Sequence, residues 1–143
     1  MKREAVNILT GIQKNTEMAM QAIDTLSDKV YDKQLASEMS LQAIKYAELH
    51  NRALKELVNA KAEAGRSNAV DNLKLKASIH YNTLLNTSTP HVAELMIKGN
   101  NMGILEMEKA IRHNQTADPK AVALAQELIH MEQSNIGALK SYL

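Results

Sequence analysis

The chain has 143 residues, with 17 Lys and Arg against 16 Asp and Glu, which gives a net charge of +1. This length indicates one domain spanning residues 1–143, and the balanced charge provides no field that would attract nucleic acid or a membrane surface. The absence of cysteine excludes disulfides, thiolate catalysis and cysteine-based metal sites. Because there is neither an apolar run of membrane-spanning length nor a signal-peptide core, we expect a cytoplasmic protein.

The composition of the apolar residues favours a helical protein. Phe and Trp are absent, Tyr occurs 4 times and Met 8 times, so the core must be aliphatic with methionine filling the gaps. The strands of a β-sandwich would instead be rich in aromatic and β-branched residues. With 2 prolines and 5 glycines, the chain also has little turn material for a many-stranded fold.

The first half of the chain predicts a pair of long helices. Apolar residues recur at helical spacing over residues 3–26 and again over residues 33–64. Asp32 is placed to cap the start of the second helix, and Gly65 is suited to a left-handed cap at its end. Because the link between the two helices is short, we expect them to pack antiparallel.

The second half predicts three further helices. A third helix over residues 68–86 is followed by Thr89-Pro90, which caps and opens a fourth helix over residues 90–114. Asp118-Pro119 repeats this start signal for a fifth helix that reaches the C-terminus. The fourth and fifth helices form a second antiparallel pair. The expected fold is therefore an all-α four-helix bundle of two antiparallel pairs with a helical crossover segment between them.

The fourth predicted helix carries apolar side chains on two faces. One stripe contains Glu106 at its centre, and its other members are Val92, Leu95, Met96, Gly99, Met102, Gly103, Met107, Ala110 and His113. Ile97, Ile104 and Ile111 form a ridge on nearly the opposite face of the helical wheel. This pattern predicts a central helix, with the first stripe and Glu106 in the core and the ridge against another helix or subunit.

The isoleucine ridge predicts a homo-oligomer, most simply a dimer. An exposed isoleucine forgoes roughly 2 kcal/mol of burial, and soluble monomers avoid continuous apolar strips. Leu41 and Ile44 on the back of the second helix also need cover. We therefore expect the ridge or the back of the second helix to lie in a subunit interface.

Several polar side chains fall on the inner faces of the predicted helices. They are Thr16, Tyr46, His50, His80, Glu106, Glu132 and Asn135. A buried carboxylate costs several kcal/mol unless it is paired, bound to a metal or protonated, so Glu106 and Glu132 need partners. One interpretation is that His50, His80 and Tyr46 donate hydrogen bonds to these carboxylates and fix the helix register. The other is a metal or ligand site made by Glu106, Glu132, His50 and His80.

A second set of residues is defined by its linear spacing. It comprises Glu17, Glu48-x-x-Asn51, Glu94 and Glu127-x-x-His130. This string resembles the ligand string of ferritin-like di-iron proteins, and residues 78–111 are similar to bacterial ferritin-like bundles with a short histidine-containing helix ahead of the last pair. The resemblance implies a ferritin-like four-helix bundle, and it implies iron or another divalent metal as a cofactor held by the string.

The helical wheels place these candidate ligands away from the bundle interior, which argues against that metal site. The four carboxylates each lie roughly 130–160° from the centre of the apolar face of their helix, and His130 is also far from it. The sequence has neither a nucleophile motif nor a glycine-rich phosphate loop. We therefore expect a structural or binding role, with no enzymatic activity, no cofactor and no intact di-iron centre. The alternative is a metal-binding protein of the di-iron or ferroxidase type.

Overall fold

The computed structural model describes residues 3–59 and 88–143, and within these ranges the chain is helical and contains no strand. The elements are α1 (Arg3–Ser27), α2 (Lys33–Asn59), α3 (Thr89–His113), α4 (Pro119–Leu139) and a closing 3-10 turn (Lys140–Tyr142). The all-α prediction is thus confirmed for the described residues. The third predicted helix, and with it His80, lies outside them.

Side-chain caps begin three of the four helices. Asp32 accepts the Leu35 N–H at 2.8 Å ahead of α2, and Asp118 accepts the Lys120 N–H at 2.9 Å ahead of α4. The cap of α3 is Ser88, whose hydroxyl accepts the His91 N–H at 3.4 Å. The cap of α3 therefore lies one residue before the predicted Thr89, while the start signals at Asp32 and Asp118 are confirmed.

Hydrogen bonds between helices define their directions. Asn7 on α1 contacts Asn114, directly after α3, and Asn15 on α1 contacts the Gly103 carbonyl within α3, so these two helices are antiparallel. Contacts of Tyr46 with Glu132 and of Arg52 with Glu127 show in the same way that α2 and α4 are antiparallel. The most extensive interfaces join α1 to α2 and α3 to α4, and α1 also packs on α3 and α4.

The resulting order of directions is up, down, down, up. Asn15 on α1 bonds Glu132 on α4, and Thr116 before α4 donates to Glu4, so α1 and α4 run parallel. It follows that α2 and α3 are also parallel, as in bundles whose two hairpins are joined by one crossover connection.

The core is aliphatic, as predicted. On α1 and α2 its fully buried members repeat every three or four residues, and they include Ile8, Leu9, Ile12, Leu35, Met39 and Leu57. Each such side chain contributes roughly 1.5–3 kcal/mol through removal from water.

The orientation of α3 differs from the prediction. Its buried residues are Val92, Ala93, Met96, Asn100 and Met107. Glu106 and Gly99 are exposed, and Met102 is 67% exposed, so the prediction that they face the core was wrong. The observed inner face of α3 is rotated by roughly 70° about the helix axis from the predicted one, which is less than the 100° between successive residues.

The isoleucine ridge of α3 packs against the bundle's own core. Ile97, Ile104 and Ile111 are half-buried and contact core residues. The rotation of α3 explains this, because it moves the ridge from the back of the helix to the flank of its inner face. The prediction that the ridge lies opposite the core was therefore wrong, and it no longer supplies a reason for a subunit interface.

Candidate functional site

The most distinctive feature of the interior is a layer of polar side chains supplied by all four helices. We call Asn15 (α1), Tyr46 (α2), Asn100 (α3), Glu132 and Asn135 (both α4) the polar layer. Glu132 and Asn135 are each 1% exposed, and Tyr46 is 2% exposed. Tyr46, Glu132 and Asn135 were predicted to point inward, and the structure confirms that they do.

The Tyr46 hydroxyl lies at the centre of the polar layer. Its oxygen is 2.8 Å from Asn100 Oδ1 and 3.0 Å from Glu132 Oε2. The Asn135 amide donates to Asn100 Oδ1 at 3.1 Å and to the Tyr46 oxygen at 3.4 Å. Asn15 donates to Glu132 Oε1 and to the Gly103 carbonyl oxygen, both at 3.1 Å. The layer therefore links α2, α3 and α4 through one hydroxyl, and α1 through one amide.

A glycine on α3 makes room for the Glu132 carboxyl group. A Cβ atom added at Gly103 would lie 2.6 Å from Glu132 Oε1 and 2.8 Å from Glu132 Cδ, and closer still to Oε2. Ordinary carbon contacts are roughly 3.5–4.0 Å, so no side chain fits here while the carboxyl group stays in place. The absence of a side chain at Gly103 therefore leaves the space that the Glu132 carboxyl group occupies.

Burial dominates the electrostatics of Glu132. It raises the pKa of the carboxyl group to about 7, against the opposing effect of the hydrogen bonds from Asn15 and Tyr46. No described residue forms an ion pair with Glu132. Burial and the neighbouring Glu132 likewise raise the pKa of Tyr46, which keeps its hydroxyl protonated. The layer thus contains one group that titrates close to neutral pH.

His50 belongs to a separate contact between α1 and α2. Thr16 donates its hydroxyl proton to the Ile12 carbonyl, so it accepts from His50 Nδ1 at 2.9 Å. The Gln13 amide donates to the His50 carbonyl at 3.2 Å and lies 3.5 Å from Nε2. These partners assign the Nδ1–H tautomer. The predicted donation from His50 to a buried carboxylate is replaced by contacts with α1.

The remaining sequence candidates are spread over the surface. Glu48, Glu94, Glu106, Glu127 and His130 are exposed, and Glu17 is half-buried. Glu127 pairs with Arg52 at 2.7 Å, and Glu106 lies 3.5 Å from Lys109 Nζ. In residues 3–59 and 88–143, no three His, Cys, Asp or Glu side chains come together as a metal site requires. The described members of the two predicted ligand sets therefore do not assemble as a metal site, and His80 of the first set lies outside the described residues.

Sequence reasoning missed Asn15 and Asn100. Asn100 lies four residues after Met96 and seven before Met107, so its position matches the inner face of α3. Its own amide group donates to the Met96 carbonyl at 2.8 Å, which satisfies part of its polarity inside the helix. An asparagine in mid-helix at core spacing was the available signal.

A surface groove lies between α2 and α4. Its lining is Lys45, Glu48, Leu49, Arg52, Glu127 and Met131, and its volume is about 180 Å³. Small-molecule sites are usually roughly 300–1,000 Å³ and mostly apolar. The groove is smaller and is crossed by the Arg52–Glu127 ion pair, so we assign no ligand to it.

Comparisons of this chain with protein-family models, with curated proteins and with solved structures return no match. Within the described residues, none of the helices combines the length and apolar character needed to cross a bilayer. Function must therefore be inferred from the geometry of the polar layer and the surface.

Proposed function

We propose that this chain is a ferritin-like helical bundle with a structural or binding role, that it acts as a homodimer, and that its polar layer fixes the helix register. The observation that carries the register role is the bonding of the layer's side chains to one another across the helices. The space beside the Glu132 carboxyl group is taken up by the backbone at Gly103. The two antiparallel pairs with parallel α2 and α3 support the ferritin-like assignment.

The polar layer is poorly suited to catalysis. A general acid or base has to reach a substrate atom within hydrogen-bonding distance, directly or through one water. Glu132 is 1% exposed and is held by Asn15 and Tyr46. The high pKa of Tyr46 prevents it from serving as a base. These features favour a role in specifying the fold over a role in chemistry.

The dimer surface we propose is the back of α2. Leu41 is 53% exposed and Ile44 is 65% exposed. Ser37 and Glu48 are also exposed, and they lie one turn before Leu41 and one turn after Ile44 on the same face of the helix. In a two-fold antiparallel pairing, Leu41 of each copy would pack on the partner's Ile44, and Ser37 would face the partner's Glu48. Burial of Leu41 and Ile44 would add roughly 1–2 kcal/mol for each side chain.

Light scattering on the full chain at micromolar concentration tests the proposed dimer. A dimer has twice the 15.8 kDa mass of one chain. We expect Leu41→Lys to shift the protein to monomer, whereas Leu105→Lys, at a site on α3 that is 52% exposed, leaves the dimer intact. Ser37→Glu should weaken the dimer by placing two carboxylates together, and Ser37→Glu combined with Glu48→Lys should restore it. A monomeric wild-type chain would refute the homodimer.

Metal analysis after iron(II) loading separates this proposal from a ferroxidase-type function. We expect no stoichiometric iron on the purified chain. About two irons per chain, lost on replacing Glu127, would establish the di-iron alternative instead.

A further inference from the structure

The hydrogen bonds of the polar layer do not balance if Glu132 is ionised. The Tyr46 hydroxyl has one proton, yet its oxygen faces two acceptors, Asn100 Oδ1 at 2.8 Å and Glu132 Oε2 at 3.0 Å. Asn100 cannot exchange its amide ends without loss, because its Nδ2 donates to the Met96 carbonyl and its Oδ1 accepts from Asn135. An ionised carboxylate and Asn100 would therefore compete for a single proton.

The layer as a whole is short of donors. Asn135 uses its amide group for Asn100 and Tyr46, and no described group donates to its buried Oδ1 atom. Unpaired buried acceptors each cost roughly 1–3 kcal/mol. One additional proton on Glu132 would remove the competition at Tyr46.

We propose that the polar layer is a buried proton-binding site, in which Glu132 is a neutral carboxylic acid that donates to the Tyr46 oxygen and whose ionisation loosens the bundle. The hydrogen bonds then run in one direction, from Glu132 Oε2 to Tyr46 and from Tyr46 to Asn100 Oδ1. Glu132 Oε1 stays free to accept from Asn15. The proton comes from solvent as the bundle closes and returns to solvent when the carboxyl group ionises.

The surroundings of Glu132 supply dipoles and no compensating charge. From α1 it meets the Asn15 amide, from α2 the Tyr46 hydroxyl, and from α3 the backbone of Gly103. The 3-10 turn also packs on α4, and its titratable side chains, Lys140 and Tyr142, form no hydrogen bond with Glu132. Among the described residues, Tyr46 is thus the titratable group that Glu132 contacts.

An anion at this place would lack the partner that normally offsets its desolvation. Burial raises the pKa of Glu132 and so also favours the protonated carboxyl group. The geometry and the electrostatics therefore agree that the closed bundle holds a proton here.

The sign of the resulting pH dependence follows from proton binding in the two states. The folded chain keeps the Glu132 proton up to about pH 7, whereas a glutamate in the unfolded chain releases it around its ordinary value of 4.5. Between these values the unfolded state binds fewer protons, so the folded state loses stability as pH rises. The unfolding constant should increase roughly tenfold per pH unit, and about 300-fold in total, and then level off.

The direct test is a pH titration of the side-chain carboxyl carbons of the full chain, labelled with 13C glutamate, by NMR. We expect one resonance with a midpoint near pH 7, and we expect Glu132→Gln to remove it. Glu106→Gln, which removes an exposed carboxyl group from α3, is the matched control and should leave that resonance in place. Titration of every glutamate in the ordinary acidic range would overturn the proposal.

Two further measurements keep the test decisive. The midpoint should be the same in sodium chloride and in calcium chloride of equal ionic strength. A large downward displacement by either salt would mean that the site holds a cation, and this would also overturn the proposal. In urea unfolding between pH 5 and pH 8, the wild-type chain should lose stability while Glu132→Gln, with an amide that donates permanently to Tyr46, stays level. If Glu132→Gln does not fold, the resonance of the wild-type chain still decides.

Discussion

Two glycines on α3, one turn apart, should respond in opposite directions to the same substitution. In a helix interior, replacing glycine by alanine favours the helix by up to about 1 kcal/mol. A Cβ atom at Gly99 meets nothing within 4 Å, so Gly99→Ala should stabilise the bundle by about 0.5–1 kcal/mol. At Gly103 the same atom would lie 2.6 Å from Glu132 Oε1. The carboxyl group must then move by about 1 Å to restore ordinary contact.

The size of the penalty depends on what holds the Glu132 carboxyl group. A side-chain end can often swing away at little cost, but this one is buried and bonded to Asn15 at 3.1 Å and Tyr46 at 3.0 Å. A displacement of about 1 Å takes both bonds beyond useful length, and each loss costs roughly 1–3 kcal/mol. After subtraction of the helix gain, Gly103→Ala should destabilise the chain by about 1–5 kcal/mol.

Urea unfolding followed by far-UV circular dichroism measures both variants under one set of conditions. The midpoint should rise for Gly99→Ala and fall for Gly103→Ala, with similar slopes. Equal stabilisation by the two substitutions would refute the reasoning, because it would show that the Glu132 carboxyl group moves freely and that the polar layer is not held together.

Three further substitutions test individual side-chain contacts. Tyr46→Phe removes the hydroxyl between Glu132 and Asn100 and should lower stability by about 1–3 kcal/mol in thermal unfolding, whereas an unchanged melting temperature would mean that the layer is hydrated. Glu106→Gln should change stability by less than about 0.5 kcal/mol, since this exposed group contacts only Lys109 among the described side chains; a larger loss would restore its predicted burial. Thr16→Val should lower the free energy of unfolding by about 1 kcal/mol, because His50 Nδ1 then has no acceptor. An unchanged free energy of unfolding would contradict that contact.

The helices could be predicted because their signals are local. Apolar spacing on α1 and α2 identified the buried stripes, and Asp32 and Asp118 identified two starts. The orientation of α3 could not be obtained in this way. Two buried positions, Asn100 in α3 and Asn114 directly after it, are polar, and a wheel built on hydrophobicity assigns them to solvent. Their amide groups donate to carbonyls within α3, but their side-chain oxygens accept from other helices, and only the tertiary structure reveals those partners.

The predicted inward polar residues of α4 and the ligand-like string differ in how well the sequence predicted their positions. Glu132 and Asn135 lie inside a continuous apolar face of α4, so their burial was evident from angular position. The ligand-like string relied on linear spacing alone. Spacing along the chain does not specify direction around the helix, and Glu127 accordingly faces outward toward Arg52. For Glu127, angular position was therefore the better guide.

A polar layer restricts the bundle more tightly than its apolar neighbours do. A shift of one helix by one residue moves a side chain by about 1.5 Å along the axis and about 100° around it. Leucine and methionine can repack after such a shift, but the Tyr46 hydroxyl cannot then keep its bonds of 2.8 Å and 3.0 Å to two other helices. An apolar replacement could be equally stable and still less specific. Since a proton on Glu132 removes the competition of two acceptors for the Tyr46 hydroxyl proton, the preference for one register should itself weaken when that proton leaves.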